Sequence, residues 1–356
     1  MSRVLVSILS ENNIPNYLFI KQMKADEGYD KHMFFVTERV EEKKLDEHLV
    51  NALGSWGDSR RIRLDDKDFS KCLEKLREKI ESSPKEDTYI VNLTGGTKVM
   101  SLAVYEAFKE KANSQFYYVT QNLKEIYDFQ SGKFVSLTAK ISLENYMKVY
   151  GLRMEADEYF LKDRETTMSL FNTLKNYNYN RFAIPELKNC QSLADKIDKR
   201  YYGGEWFEEF CYYRIKRDFD LDDDAIMQGV KLFNDAIPSS ETAAHDNEID
   251  VMFVKDNALY VVECKVGMSG YTKGDSNNAA IDKTNETIYK LAAISKYIGF
   301  RVNSYIFTLH KVENFAQSTL DTFSKRMRLL GLKGMVTAGD LGNGANKNYL
   351  KEPELR

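Results

Sequence analysis

EIDVMFVKDNALYVVECK, running from Glu248 to Lys265, decides the reading of this chain. Two apolar runs rich in β-branched residues, Asp250 to Val254 and Ala258 to Cys264, flank Asp256-Asn257. Asx pairs of this kind favour the tight turns that close two-residue hairpins, so the stretch is predicted to be a β-hairpin. With Asp256 and Asn257 as the loop, Asp250 falls opposite Glu263 and Glu248 opposite Lys265. Side chains alternate with period two, which sends all four from one face of the ribbon. Directly paired side chains lie about 4.5–5.5 Å apart at Cβ, near enough for two carboxylates to grip one divalent cation. Mg²⁺ and Mn²⁺ take hard oxygen ligands and keep several waters, so one or two carboxylates plus a substrate phosphate make an ordinary shell. A lysine beside them can orient or help deprotonate a water, or neutralise charge on a phosphorane-like transition state. That is the chemistry of phosphodiester hydrolysis. The competing reading, solvated charges on an edge hairpin, fits poorly with apolar neighbours on both strands, because buried unpaired charges are costly.

Asp250 followed by Glu263-Cys264-Lys265 resembles the PD-(D/E)xK nuclease superfamily, with Glu263 and Lys265 as the ExK pair and Asp250 as the preceding metal carboxylate. No proline precedes Asp250, a departure from the fullest form of the motif. The resemblance implies a further acidic residue from the helix before the hairpin. GGEWFEEFCYYRIKRDF, from Gly203, suits such a helix, and of Glu205, Glu208 and Glu209 we favour Glu208, which follows Trp206-Phe207. The implied metal set is therefore Asp250, Glu263 and Glu208, with Mg²⁺ or Mn²⁺ as cofactor.

A chain of 356 residues with 43% hydrophobic composition suits two domains with proper cores. No apolar run is long enough to cross a membrane, and MSRVLVSILSENN is too short and strand-like for a signal peptide, so a cytoplasmic protein is expected. Four cysteines without C-x-x-C spacing read as reduced structural thiols, and the histidines form no H-x-x-x-H ligand set; His245 is near the carboxylates, and a loop histidine there is more often incidental. The net charge of −3 hides an asymmetry: acidic residues dominate Glu205 to Asp250, and basic ones prevail from Tyr271 onward.

From the N-terminus, VLVSIL, HMFFVT, RIRL and TYIVNL alternate with helical patterns, and FYYV, EIYDF and KFVSL follow. Such alternation predicts a doubly wound, Rossmann-like α/β domain, whose ligands bind beyond the carboxyl ends of its strands. Two polar loops fall at that edge: Ser10 to Asn16, and Asn92-Leu93-Thr94-Gly95-Gly96-Thr97-Lys98. Adjacent glycines, a helix start, hydroxyls and a lysine make the second a candidate phosphate cradle. It is not a Walker A loop, since G-x-x-x-x-G-K-[ST] is absent.

S-x-x-x-x-P-N after the first strand and N-x-TGGTK-x-M after a later one together resemble the CARF domains of CRISPR-associated proteins. Fused to a restriction-endonuclease-like PD-(D/E)xK domain, the chain resembles the type III CRISPR nucleases activated by cyclic tetra-adenylate. The resemblance implies a homodimer with a composite pocket for the ring, contacted by Ser10 and by Asn92, Thr94, Gly95, Gly96, Thr97 and Lys98. It also implies an allosteric endonuclease acting on DNA or RNA, single-stranded by family analogy. Two other classes stay open: an activator-independent repair or restriction nuclease, and a sensing or ring-cleaving module without nuclease output.

The expected division is a CARF domain over 1–140, a helical linker over 141–200 and a nuclease domain over 201–356. Within the linker, the stretch from Met154 to Tyr177 reads as one amphipathic helix. After the hairpin, residues 266–280 read as a mobile loop beside the site. The helix Ile281 to Ile298 is expected to bury Ile288, Leu291 and Ile294 and to present Lys283 and Lys290 elsewhere, and Lys325, Arg326 and Arg328 could follow a phosphate backbone.

Overall fold

The computed structural model describes residues 1–54, 58–111, 113–156, 164–234, 248–267, 278–298, 302–311, 313, 315, 317–343 and 348–350. They form two compact units, Met1–Arg153 with Asn234–Ala236, and Met154–Phe233 with Ile237–Arg356.

The first unit is built on β1 (Arg3–Ile8), β2 (Lys31–Val36), β3 (Asp58–Arg63), β4 (Thr88–Asn92), β5 (Ser114–Val119), β6 (Glu125–Asp128) and β7 (Lys133–Ser136). Their order in the sheet is β3-β2-β1-β4-β5-β6-β7. The strands from β3 to β5 are parallel, and β6 and β7 return as an antiparallel edge. β1 is central because RVLVSI is buried almost throughout, as a strand covered on both faces must be. On one face Val4, Val6 and Ile8 pack with the Phe69–Glu81 and Lys98–Lys109 helices. On the other, Phe19 of the Ile14–Asp26 helix meets Tyr117, which alternates away from Phe116, with ring centroids 5.6 Å apart. The chain runs outward in opposite directions from β1 and β4, so the loops that follow these two neighbours lie together at a topological switch point.

The second unit carries β8 (Leu152–Ala156), β9 (Ile226–Asn234), β10 (Ile249–Lys255), β11 (Ala258–Lys265), β12 (Val302–Thr308) and β13 (Gly334–Val336), in the order β13-β12-β11-β10-β9-β8. β9, β10 and β11 are antiparallel, and β11, β12 and β13 are parallel. The hairpin has the expected register, Val251 to Val262 through Lys255 to Ala258. Asp256 and Asn257 take φ of 51° and 60°, the left-handed pair of a type I′ turn. Behind the sheet, Phe171 of the Arg164–Asn176 helix stacks on Phe210 of the Trp206–Asp218 helix at 3.8 Å.

The stretch 141–200 differs in detail from a run of helices. The Leu143–Val149 helix packs with helices of the first unit. Met154 to Ala156 belong to edge strand β8, and only Arg164–Asn176 of the expected Met154 to Tyr177 helix is helical, with 157–163 outside the described residues. The edge of β9 offers hydrogen bonds to LRMEA that no periodicity reveals. Among the described residues, no helix is long and apolar enough to cross a membrane.

Candidate active site and candidate ligand site

The hairpin brings Asp250 and Glu263 together as its register requires, and both are deeply buried, 8% and 3% exposed. Asp250 Oδ2 accepts a hydrogen bond from the Cys264 amide at 2.6 Å. Lys265 Nζ donates to Glu263 Oε1 at 2.7 Å. Burial first, then the neighbouring carboxylates Glu263 and Glu208, raise the pKa of Asp250 well above the usual carboxylate range, against the pull of Lys265. For Lys265, burial opposes the charged form, but Asp250 and Glu263 outweigh it and lift its pKa above the ordinary lysine value. As an ammonium, Lys265 can neutralise charge and donate hydrogen bonds at this site.

Of the three helix glutamates, Glu208 is the one whose charge acts on Asp250. Glu205 pairs with Arg200 at 2.6 Å, and buried Glu209 accepts from Thr167 Oγ1 at 2.8 Å inside the helix packing. Cys264 points away from the carboxylates, into the core beside Cys211, where burial raises both thiols.

Lys290 departs from its expected place. Its Nζ lies 3.1 and 3.2 Å from the two carboxylate oxygens of Glu263 and 2.6 Å from the carbonyl oxygen of Glu248. Ile288, Leu291 and Ile294 are buried as expected, and Lys290, next to Leu291, sits at the border of that apolar stripe. That border position was the available signal. The stretch expected to be a mobile loop lies from 268 to 277 outside the described residues, as do His245 and the side chain of Lys283.

Among the described residues, no three His, Cys, Asp or Glu side chains converge to enclose a metal unaided. The donor set is nonetheless of the right chemistry for Mg²⁺ or Mn²⁺: hard carboxylate oxygens on rigid strands, crowded enough for Asp250 to resist ionisation. Such an ion completes its shell with water and substrate phosphate and needs no closed protein cage.

In the first unit, the TGGTK loop sits against the end of β1. Fully buried Asn92 donates to Asn16 Oδ1 at 2.9 Å and accepts from the Thr94 amide at 3.1 Å and the Thr94 hydroxyl at 2.5 Å. Asn16 in turn donates to the Ile8 carbonyl at 2.9 Å, and the Val119 amide donates to Thr94 Oγ1 at 2.8 Å. Asn92 and Thr94 therefore tie three strand ends together. Gly95 permits a close approach, but the partner is the chain's own backbone: a Cβ there would overlap the Ile8 carbonyl. Gly96 needs its positive φ of 73°. Thr97 caps the Lys98–Lys109 helix through the Met100 amide, and Thr97 and Lys98 are exposed. Ser10 Oγ donates to the Asn12 carbonyl at 3.1 Å on the adjoining loop. At the same edge Glu11 pairs with Arg39 at 2.7 Å and Lys43 at 2.5 Å, cations that no sequence motif marked.

Residues 4–146 match the family described as the Card1 CARF domain, and residues 195–337 match the Card1-like endonuclease domain. No curated protein matches the chain by sequence. Among solved structures, Can2 from Sulfobacillus thermosulfidooxidans in complex with cyclic tetra-adenylate is 17% identical, with 98% of this chain and 99% of that one covered and a TM-score of 0.70. Protein VC1899 from Vibrio cholerae is 15% identical, with 95% of each chain covered and a TM-score of 0.72. A type III CRISPR defence DNA nuclease activated by cyclic oligoadenylate is 13% identical, covering 91% of this chain and 51% of that one, with a TM-score of 0.58. At these identities the likeness is one of fold.

Proposed function

From a chain that joins a CARF domain to a Card1-like endonuclease domain, we propose a metal-dependent endonuclease of type III CRISPR defence, switched on by cyclic tetra-adenylate. The observation that carries this reading is the pairing of buried Asp250 and Glu263 on one hairpin face, with Lys265 hydrogen-bonded to Glu263 and with Glu208 of the Trp206–Asp218 helix acting on Asp250. Two buried acids with a third acting on them, held against the ammonium groups of Lys265 and Lys290, are an expensive arrangement for a structural core and a useful one for a cation site.

Asp250 and Glu263 would hold Mg²⁺ or Mn²⁺, with Glu208 completing the acidic wall. When bound, the ion would polarise the phosphodiester and lower the pKa of a water. Lys265, hydrogen-bonded to Glu263 at the edge of the site, would neutralise the negative charge that builds on the phosphorus oxygens or orient the attacking water. The substrate is single-stranded DNA or RNA by family analogy.

Can2, bound to cyclic tetra-adenylate, supports the choice of activator. In this chain the ring would lie on the switch-point edge, where Ser10, Gly96, Thr97 and Lys98 offer hydroxyls, backbone and a cation, while Asn92, Thr94 and Gly95 hold the loop in place. A homodimer is supported by exposed apolar side chains, Leu102 and Tyr105, on the helix that begins at Lys98. A two-fold dimer matches the two-fold symmetry of a tetranucleotide ring. Activation requires the ring to bind the cutting-competent state more tightly than the resting one.

The test is hydrolysis of labelled single-stranded DNA and RNA with Mn²⁺, with and without cyclic tetra-adenylate, by wild type and Glu263→Ala. Cutting that needs the ring and vanishes in the variant is the expected result. Cutting without the ring, or cutting retained by Glu263→Ala, overturns it.

A further inference from the structure

Glu263 receives two ammonium groups, and they are not equivalent. Lys265 meets Oε1 alone, at 2.7 Å, from the same strand. Lys290 comes from the Asn278–Ile298 helix and bridges both oxygens at 3.1 and 3.2 Å, the position a chelated cation would take on a carboxylate. Its second anchor, the Glu248 carbonyl at 2.6 Å, does not belong to the carboxylate cluster. An ammonium held in this way can leave Glu263 by a small rotation without losing every partner.

We propose that Lys290 is a positioning residue: a tethered counter-cation that holds and neutralises Glu263 and is exchanged for the divalent ion when the site loads. It rests on the metal-dependent reading of the Asp250–Glu263 site. An incoming ion must take at least one Glu263 oxygen that Lys290 shares, and it meets Lys290 as a like charge. Lys290 thus keeps a buried acidic cluster compensated before loading, and it sets the metal concentration at which the nuclease becomes competent.

The experiment is calorimetric titration of Mn²⁺ into the full chain, for wild type, Lys290→Met, Lys290→Gln, Lys290→Arg and Asp250→Asn. Thermal melts with and without Mn²⁺ and a kcat and KM split on a labelled oligonucleotide accompany it. Lys290→Met and Lys290→Gln should bind Mn²⁺ about tenfold more tightly, the factor one charge-assisted hydrogen bond supplies. Both should melt lower than wild type without metal and gain more on adding it. Lys290→Arg keeps a cation in place and should stay within roughly threefold of wild type.

Mn²⁺ affinity unchanged or weakened in the neutral variants overturns the proposal. So does equal melting loss with and without Mn²⁺, which marks a merely structural tie, and so does a raised substrate KM with unaltered metal affinity, which marks a phosphate contact. If wild type and Asp250→Asn titrate alike, the metal reading itself falls and takes the proposal with it. If only Asp250→Asn loses the ion while Lys290→Met matches wild type, the role of Lys290 alone falls.

Discussion

Replacing Gly95 by alanine tests the ligand edge through its packing. A Cβ at this position would overlap the Ile8 carbonyl oxygen and come within 2.9 Å of Asn16 Nδ2. Neither neighbour can yield cheaply, because Ile8 ends a central strand and Asn16 Nδ2 is already donating to that same carbonyl at 2.9 Å. The loop must move instead. Overpacking of this kind costs about 1–3 kcal/mol. Weakening the buried Asn16 bond adds about 1–3 kcal/mol, while the stiffer unfolded chain returns about 0.4–1 kcal/mol. The net, about 2–5 kcal/mol, corresponds to a fall of about 4–20 °C in the melting of a unit of this size. Scanning calorimetry of the full chain should show that fall, and titration with cyclic tetra-adenylate should show binding lost along with the loop's position. Gly203→Ala, where a Cβ meets nothing within 4 Å, serves as the control. A Gly95→Ala protein that melts within about 2 °C of wild type and still binds the ring would refute the reasoning.

Glu263→Gln and Lys265→Met should each lower cleavage by at least about a hundredfold, read as kcat at saturating Mn²⁺, and chelation of the metal by EDTA should abolish it. His32 is held neutral by burial with a pKa of about 3 against an ordinary 6.5. The unfolded chain takes up a proton between those values and the folded chain does not, so its contribution to stability is complete above pH 6.5 and is lost toward pH 3. Near pH 5 the loss is about 2 kcal/mol, measurable as a flatter pH dependence of denaturant midpoints in His32→Gln. Asn257→Val places a β-branched residue at φ 60° and should cost about 1–2 kcal/mol, while Asn257→Gly should be tolerated, as urea midpoints would show.

The hairpin of the candidate active site was legible because a two-residue loop leaves one register, and register alone puts Asp250 opposite Glu263. Which helix glutamate faces them was only partly legible. WFEEF places Glu208 and Glu209 on neighbouring faces, and the burial of Glu209 against Thr167 is what separates them. Lys290 was not legible, because a lysine at the border of an apolar stripe has no preferred partner until the helix is docked. The same holds for β8, whose helix-compatible residues are strand only because an edge of β9 is there to pair with.

The glycines of the TGGTK loop show both sides. Their presence marked a close approach, and only the packed structure showed that the approaching group is the Ile8 carbonyl. Arg39 and Lys43, which meet Glu11 at the same edge, come from the short helix Glu38–Glu42 and its C-terminal cap and carried no motif. The chain by itself determined what depends on neighbours in sequence: strand and helix period, turn chemistry, hairpin register and the pairing of two domain types. The tertiary structure alone decided which charges from distant elements meet, because such contacts depend on how helices dock on sheets, and no local preference encodes that.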